Sequence, residues 1–193
     1  MNDFGIPFDG KIILSIGSLV ERKGHLDMIA AFSLVRKEIR NAHLVICGQG
    51  PLKERMEELI GRLGITHCVT IIDGLSYDKM PNLHSIADVF CLPSYLDRTW
   101  QEQFGYVFIE AMACGVPVIS TNTGSISEVV SSRCGILVAP GDSLQLSKAL
   151  IKLLTDDFLR TSKSNESIGY AKQFDNKIIS QKILEVYNNV LGK

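Results

Sequence analysis

Apolar residues fall along the chain in six short, nearly continuous runs: KIILSIG at 11–17, HLVICG at 43–48, CVTIID at 68–73, DVFCLP at 88–93, VPVIST at 116–121 and GILVAP at 135–140. Runs of this kind, without polar alternation, predict strands covered on both faces, as in a parallel sheet. Between them the apolar spacing becomes helical, at 25–40, 51–63, 77–85, 103–114 and a short stretch at 125–130. Five successive β-to-α alternations with right-handed crossovers predict an α/β fold, a Rossmann-like doubly wound parallel sheet of about six strands with helices on both faces. After the sixth run only helical spacing follows, at 142–155, 156–173 and 176–191, which predicts extra C-terminal helices. The last of these carries Ile178, Ile179, Ile183, Leu184, Val186, Tyr187, Val190 and Leu191, a broad apolar face. Two covers for it are open: its own sheet, the commoner case and the expectation here, or a second domain. No repeat, linker or low-complexity segment divides the chain, so residues 1–193 read as one domain.

Charge narrows the partners. With 20 Lys and Arg against 21 Asp and Glu, the net charge of −1 supplies no field to draw the chain onto nucleic acid or an anionic membrane, so any anion must be met by a local site. The longest uncharged run, 111–127, is broken by Gly115, Pro117 and Gly124 and does not suit a membrane span. The opening MNDFGIPFDG lacks the basic and apolar regions of a secretory signal, so a cytoplasmic protein is expected. The five cysteines, Cys47, Cys68, Cys91, Cys114 and Cys134, form no CxxC pair, which argues against a disulfide framework and a zinc site. Cys47, Cys68, Cys91 and Cys114 stand among apolar residues and read as small buried hydrophobes without chemistry.

Open parallel sheets bind ligands beyond the carboxyl ends of their strands. After the first strand, Gly17 leads through SLVERKG into a helix, which puts Arg22, Lys23 and Gly24 at the helix entry. Cations there oppose the helix dipole and need another reason, either a phosphate or simple solvation. After the second strand, GQGP is half of a dinucleotide fingerprint; without a third glycine it reads as a tight turn with Pro51 as first helical residue. There is no GxxxxGK[ST] and no Asp-x-Asp, so neither a nucleoside-triphosphate loop nor a required metal is expected. The strongest signal is EQFGYVFIEAMACGVPVIS at 102–120. Gly105 near a helix start lets free backbone amides approach an anion. Glu102 lies just before that amide cluster, and Glu110 lies eight positions later, about 12 Å along if all eight steps were helical. Carboxylates accept hydrogen bonds from hydroxyls, so two of them beside one anion site suit a nucleoside diphosphate sugar. Ribose would lie at one carboxylate, diphosphate at the amides and Lys23, and hexose at the other carboxylate.

The pair Glu102/Glu110 within E-x-F-G-x4-E-A-M-A-C-G-x-P-V-I resembles the sugar-nucleotide site of family 4 retaining glycosyltransferases, in the C-terminal half of their GT-B fold. Further matching segments are G-x-L-x-x-R-K-G at 17–24, GQGP at 48–51, residues 71–94, TGSISEVV at 123–130 and GILVAPGD at 135–142. The resemblance implies that Lys23 neutralises the donor diphosphate beside Gly17 and Ser18, and that Phe104, Gly105 and Tyr106 offer backbone amides to it. It further implies that Glu110 holds the ribose hydroxyls, that Glu102 holds a sugar hydroxyl near the anomeric carbon, and that the base lies against Ile72, Asp73 and Gly74 with Met80 as apolar neighbour. Catalysis would rest on Glu102 and Lys23, with no cofactor and no metal; each such electrostatic donor is typically worth about 3–4 kcal/mol.

Three positions depart from the family pattern. Ser18 stands where an arginine is common, with Arg22 as its candidate replacement; residues 95–101, YLDRTWQ, lengthen a short link and add Arg98 and Trp100; and TGS replaces Thr-Gly-Gly at 123–125. By resemblance the activity is hexose transfer to a polysaccharide or glycolipid acceptor. The required partner is the acceptor-binding N-terminal half, as a domain or a separate subunit, with peripheral membrane association only through that half. The chain is then a piece of a longer enzyme, a natural split protein, or one that has lost transfer. A non-catalytic sugar-nucleotide-binding module and a sugar-nucleotide epimerase share the same residues; a nicotinamide dehydrogenase is disfavoured by the absent fingerprint.

Overall fold

A computed structural model of the chain describes residues 4–6, 10–96 and 103–192. Six parallel strands form one sheet: β1 (Lys11–Ile16), β2 (Ala42–Cys47), β3 (Val69–Ile72), β4 (Val89–Leu92), β5 (Val118–Thr121) and β6 (Gly135–Val138), in the order β3-β2-β1-β4-β5-β6. Helices connect them: α1 (His25–Glu38), α2 (Lys53–Arg62), α3 (Met80–Ser85), α4 (Tyr106–Ala113) and α5 (Ile126–Val129), followed by α6 (Ser143–Thr155), α7 (Asp157–Ala171) and α8 (Asn176–Leu191). This is the doubly wound, Rossmann-like architecture expected from the apolar runs.

Both faces of the sheet are covered, which is why its strands carry apolar residues at consecutive positions. Ile13 of β1 packs with Leu44 and Ile46 of β2 against Met28 and Phe32 of α1, Met56 of α2 and Leu150 of α6. The alternate residues Ile12, Leu14 and Ile16 join Val45, Phe90 and Leu92 on the other face, under Leu83 of α3, Phe108 and Met112 of α4 and Ile126 of α5. The chain winds outward from β1 through β2 to β3, then returns to the centre and winds the other way from β4 to β6. Between β1 and β4 the following loops diverge, opening a crevice at the carboxyl ends of the strands.

The last three helices are started by aspartates. Asp142, Asp156 and Asp175 accept hydrogen bonds from the amides of Gln145, Leu159 and Lys177, each at 2.8 Å, satisfying donors that a helix start leaves unpaired. Gln145 adds a clasp, its Oε1 accepting from the Ala139 amide at 2.6 Å. Asp142→Ala is therefore expected to lower stability by about 1 kcal/mol, read as a small fall in the urea midpoint; an unchanged midpoint would show that the cap contributes nothing.

Three expectations are corrected. Residues 51 and 52 form a turn and α2 begins at Lys53, because the backbone here is committed to packing on the loop after β1, the Leu52 amide donating to the Leu19 carbonyl at 3.0 Å. Cys114 is exposed, at the C-terminal end of α4, whereas Cys47, Cys68, Cys91 and Cys134 are buried. The apolar face of α8 is not covered by its own sheet: no residue of the helix is buried, and Ile183, Leu184, Val186, Tyr187, Val190 and Leu191 are each more than half exposed. The helix follows directly on a turn at Lys172–Phe174. Among the described residues, no helix is long and apolar enough to cross a membrane.

Candidate functional site

The crevice between β1 and β4 contains a cleft of about 310 Å³ lined by Ile16, Gly17, Ser18, Lys23, Tyr77, Met80, Gly105, Tyr106, Val107 and Glu110. Its walls come from three loops. The first follows β1, where Glu21–Lys23 forms a 3-10 turn that ends in Gly24. Gly24 has φ of 71°, and a Cβ there would fall on the carbonyl of Pro93, so only glycine lets this loop lie against the exit of β4. The same two loops are tied by the Tyr95 amide, which donates to the Arg22 carbonyl at 2.9 Å. Ser120 Oγ donates to the Leu92 carbonyl at 2.7 Å and Thr123 Oγ1 to the Ser94 carbonyl at 3.1 Å, with Thr121 Oγ1 on that carbonyl as well. The exit of β4 is thus braced from both neighbouring strands.

His25, the first residue of α1, sets the β1 loop from inside. It is fully buried; Nε2 lies 3.2 Å from the Ser18 carbonyl and Nδ1 3.5 Å from Ser15 Oγ. A carbonyl can only accept, which makes Nε2 the protonated nitrogen. Burial, aided by the Lys23 charge and opposed by the Ser18 hydrogen bond, pushes its pKa down to about 4, so the ring is neutral at pH 7.

GQGP serves the same frame. A Cβ on Gly48 would land on the Gly17 carbonyl oxygen and one on Gly50 against the Leu19 backbone, while Leu19 N donates to the Gln49 carbonyl at 2.8 Å. These glycines are required by backbone packing beneath the cleft.

The second wall is the start of α4. Gly105 precedes it with φ 69° and ψ 59°, a left-handed conformation costing other residues about 1–2 kcal/mol, and no side chain caps the helix. Tyr106 and Val107 of its first turn line the cleft with the positive end of the helix dipole behind them, while the Phe108 amide donates to the Gly105 carbonyl at 2.9 Å. The helix starts at Tyr106, so only the last four of the eight steps between Glu102 and Glu110 lie in it. Glu102 lies outside the described residues, as do Arg98 and Trp100.

Glu110 completes the site. The Tyr77 hydroxyl donates to Glu110 Oε1 at 3.2 Å, and the Glu110 charge pushes the exposed Tyr77 phenol up. On its other side Oε2 lies 4.0 Å from Nε2 of His84, a ring that is 1% exposed. Burial pushes the His84 pKa down to about 4, so at pH 7 this is not an ion pair but a neutral imidazole facing a carboxylate. Neither ring nitrogen has a hydrogen-bond partner among the described residues, a condition that costs about 1–3 kcal/mol for each buried polar group.

Of the positions singled out in the sequence, Gly17, Ser18, Lys23, Met80, Gly105, Tyr106 and Glu110 meet around this one cleft. Others stand apart from its lining. The Arg22 side chain is not part of it. Ile72 ends β3 with its carbonyl accepting from the amides of Gly48 at 3.0 Å and Gly74 at 2.8 Å, while the Asp73 carboxylate pairs with Lys53 at 2.6 Å. Phe104 stacks edge-on with Tyr106 at 5.0 Å and Phe174 at 5.7 Å. Tyr77 and His84 were missed; the visible signal was position, since Tyr77 precedes Met80 by three residues and His84 follows it by four, the spacing of one helical face. Among the described residues no three His, Cys, Asp or Glu side chains cluster as metal ligands.

The model of a family described as "Glycosyl transferases group 1" matches residues 1–174, and the chain belongs to that family. It is 31% identical over 196 residues to the D-inositol 3-phosphate glycosyltransferase of Corynebacterium jeikeium, covering 97% of this chain and 46% of that protein. It is 35% identical over 147 residues to a GDP-mannose-dependent alpha-(1-6)-phosphatidylinositol monomannoside mannosyltransferase of Mycobacterium tuberculosis, covering 75% of this chain and 38% of that protein. Among solved structures, sucrose-phosphate synthase from Thermosynechococcus elongatus superposes with a TM-score of 0.83 at 26% identity, over 97% of this chain and 47% of that one. The C-terminal domain of a glycosyl transferase group 1 family protein from Francisella tularensis shares the fold, with a TM-score of 0.75 at 23% identity, over 87% of both chains. The fold is that of one GT-B domain, and the chain spans less than half the length of these curated relatives.

Proposed function

We propose that this chain is the donor-binding half of a retaining hexosyltransferase that uses a nucleoside diphosphate sugar without a metal and acts on a polysaccharide or glycolipid acceptor. The observation that carries the reading is the single cleft where Lys23, the first-turn amides of α4 and Glu110 converge. One ammonium and a helix N-terminus suit a diphosphate, and a carboxylate a few residues along the same helix suits a ribose diol. The name of the mannosyltransferase relative, which specifies GDP-mannose, supports a donor of this class.

In the reaction the glycosidic oxygen leaves with the diphosphate, and its growing charge is met by the Lys23 ammonium and the α4 amides, donors already fixed in place by the braced loops. By family resemblance Glu102 fixes a sugar hydroxyl near the anomeric carbon. The acceptor and its binding groups belong to a second, N-terminal half, as a domain or a subunit. The bare apolar face of α8 and the chain's coverage of less than half its relatives support such a partner.

Calorimetric titration with UDP, GDP and ADP and their hexose conjugates, with and without magnesium, tests the reading. One nucleotide series is expected to bind saturably without metal, and Lys23→Ala to weaken it about tenfold. Failure of every nucleotide to bind, with the second half supplied as well, would refute the donor-site assignment.

A further inference from the structure

Glu110 sits between two groups of different kind. Toward the cleft, Oε1 accepts from Tyr77, a phenol exposed over most of its surface. Toward the interior, Oε2 faces Nε2 of His84 across 4.0 Å, in the wall of a smaller, largely apolar pocket of about 180 Å³. That pocket is lined by Tyr77, Met80, Pro81, His84, Ala113 and Cys114 together with Glu110, so the Tyr77–Glu110 hydrogen bond stands as a partition between it and the cleft. The His84 ring is held by packing, with its centroid 5.6 Å from that of Phe90, whose ring in turn meets Phe108 edge-on at 6.0 Å. Packing alone would be served as well by a phenyl ring, which leaves no buried nitrogen unpaired.

We infer that His84 is the positioning residue of Glu110: its Nε2–H is the donor that locks Oε2 when a ribose diol takes the place of Tyr77 on Oε1. This rests on the reading of the cleft as a nucleotide site and adds a group outside its lining. A carboxylate has four acceptor directions on two oxygens. On Oε1 the Tyr77 hydroxyl stands in for a ligand hydroxyl. When it is displaced, a shift of Glu110 Oε2 by about 1 Å from its 4.0 Å separation brings it within hydrogen-bond range of the neutral imidazole, which donates without adding a charge to the site. The carboxylate then presents its remaining directions to the diol in one orientation, which lowers the entropy lost on binding.

His84→Phe keeps the ring packing and removes the donor. The probes are UDP, GDP or ADP, whichever the wild-type chain binds, and the matching 2′,3′-dideoxynucleoside diphosphate. The variant is expected to bind the ribonucleotide about tenfold more weakly, to bind the dideoxynucleotide as the wild type does, and to keep or raise its thermal midpoint. Equal losses for both nucleotides, or none for either, would overturn the assignment, since a purely structural histidine cannot sense the diol. A readout without nucleotide separates this test from that of the cleft itself. In nitrogen-15 spectra taken without nucleotide the ring of His84 is expected in the Nε2–H form; a ring in the Nδ1–H form would refute the donor role even in a chain that binds nucleotide normally.

Discussion

Alanine at Gly24 is expected to cost the domain about 4 kcal/mol, while alanine at Gly61 is expected to stabilise it by about 0.5–1 kcal/mol, although both substitutions add the same methyl group. At Gly24 two penalties add. Its φ of 71° costs an alanine about 1–2 kcal/mol, and the new Cβ would meet the Pro93 carbonyl, a backbone atom that cannot swing aside. Pro93 cannot retreat because hydroxyls from β5 and the segment after it hold the adjoining carbonyls of Leu92 and Ser94. Gly61 lies inside α2 with nothing within 4 Å of its would-be Cβ, so alanine there only removes freedom from the unfolded chain. With a urea slope of about 2 kcal/mol per molar, the Gly24→Ala midpoint should fall by about 2 M and that of Gly61→Ala should rise slightly. A Gly24→Ala midpoint within about 0.3 M of the wild type would mean that the two loops are not locked together as described.

The second large effect is loss of stability in mild acid. His25 and His84 are buried and neutral, each with its pKa lowered from 6.5 to about 4. Between those values the unfolded chain takes up protons that the folded chain refuses, so stability is full above pH 6.5, falls as the pH drops toward 4, and is not reduced further by these groups below that. Each shift corresponds to roughly 3 kcal/mol. His43, whose pKa is lowered by burial and then by the Arg36 and His67 charges, acts in the same direction, and Asp27, raised by burial and then by Glu21, opposes it. Around His25 the ionisable neighbour is Lys23; around His84 they are Glu110, Tyr77 and Cys114. Urea midpoints taken from pH 7.5 to pH 4.5 should fall steeply through this window, and His84→Phe should remove close to half of the fall. A flat profile would show that the rings are solvated or charged in the folded state.

The layout of the sheet was legible in the chain because a strand buried on both faces leaves a local mark, a short run of consecutive apolar residues, closed in five of the six cases by Gly, Pro or Asp. Much of the cleft was legible for a related reason: Gly17 and Lys23 lie in the connection after β1, and Gly105 and Glu110 at the start of and within the helix after β4, the neighbouring strand, where the topology gathers them. What was hidden depends on distance in sequence. Tyr77 and His84 come from one segment and Glu110 from another, and no local spacing says that a phenol 33 residues away will bond a given carboxylate. The bare face of α8 was hidden too, because an apolar helix face looks the same in sequence whether its cover is its own sheet or another domain. The exposure of Cys114 follows from its place at the last turn of α4, where a one-residue change in helix end moves a side chain from the buried stripe to solvent.

The close contacts of Gly24 with Pro93 and of Gly48 with Gly17 are made by main chain against main chain, so the scaffold that presents the α4 amides and Lys23 carries no memory of the side chains inside the cleft. For anyone wishing to reshape such a cleft for a new ligand, the practical division is plain. Met80, Val107 and Tyr106 form an exchangeable cartridge that can be varied as a library, while the glycine frame is the chassis and should be left untouched.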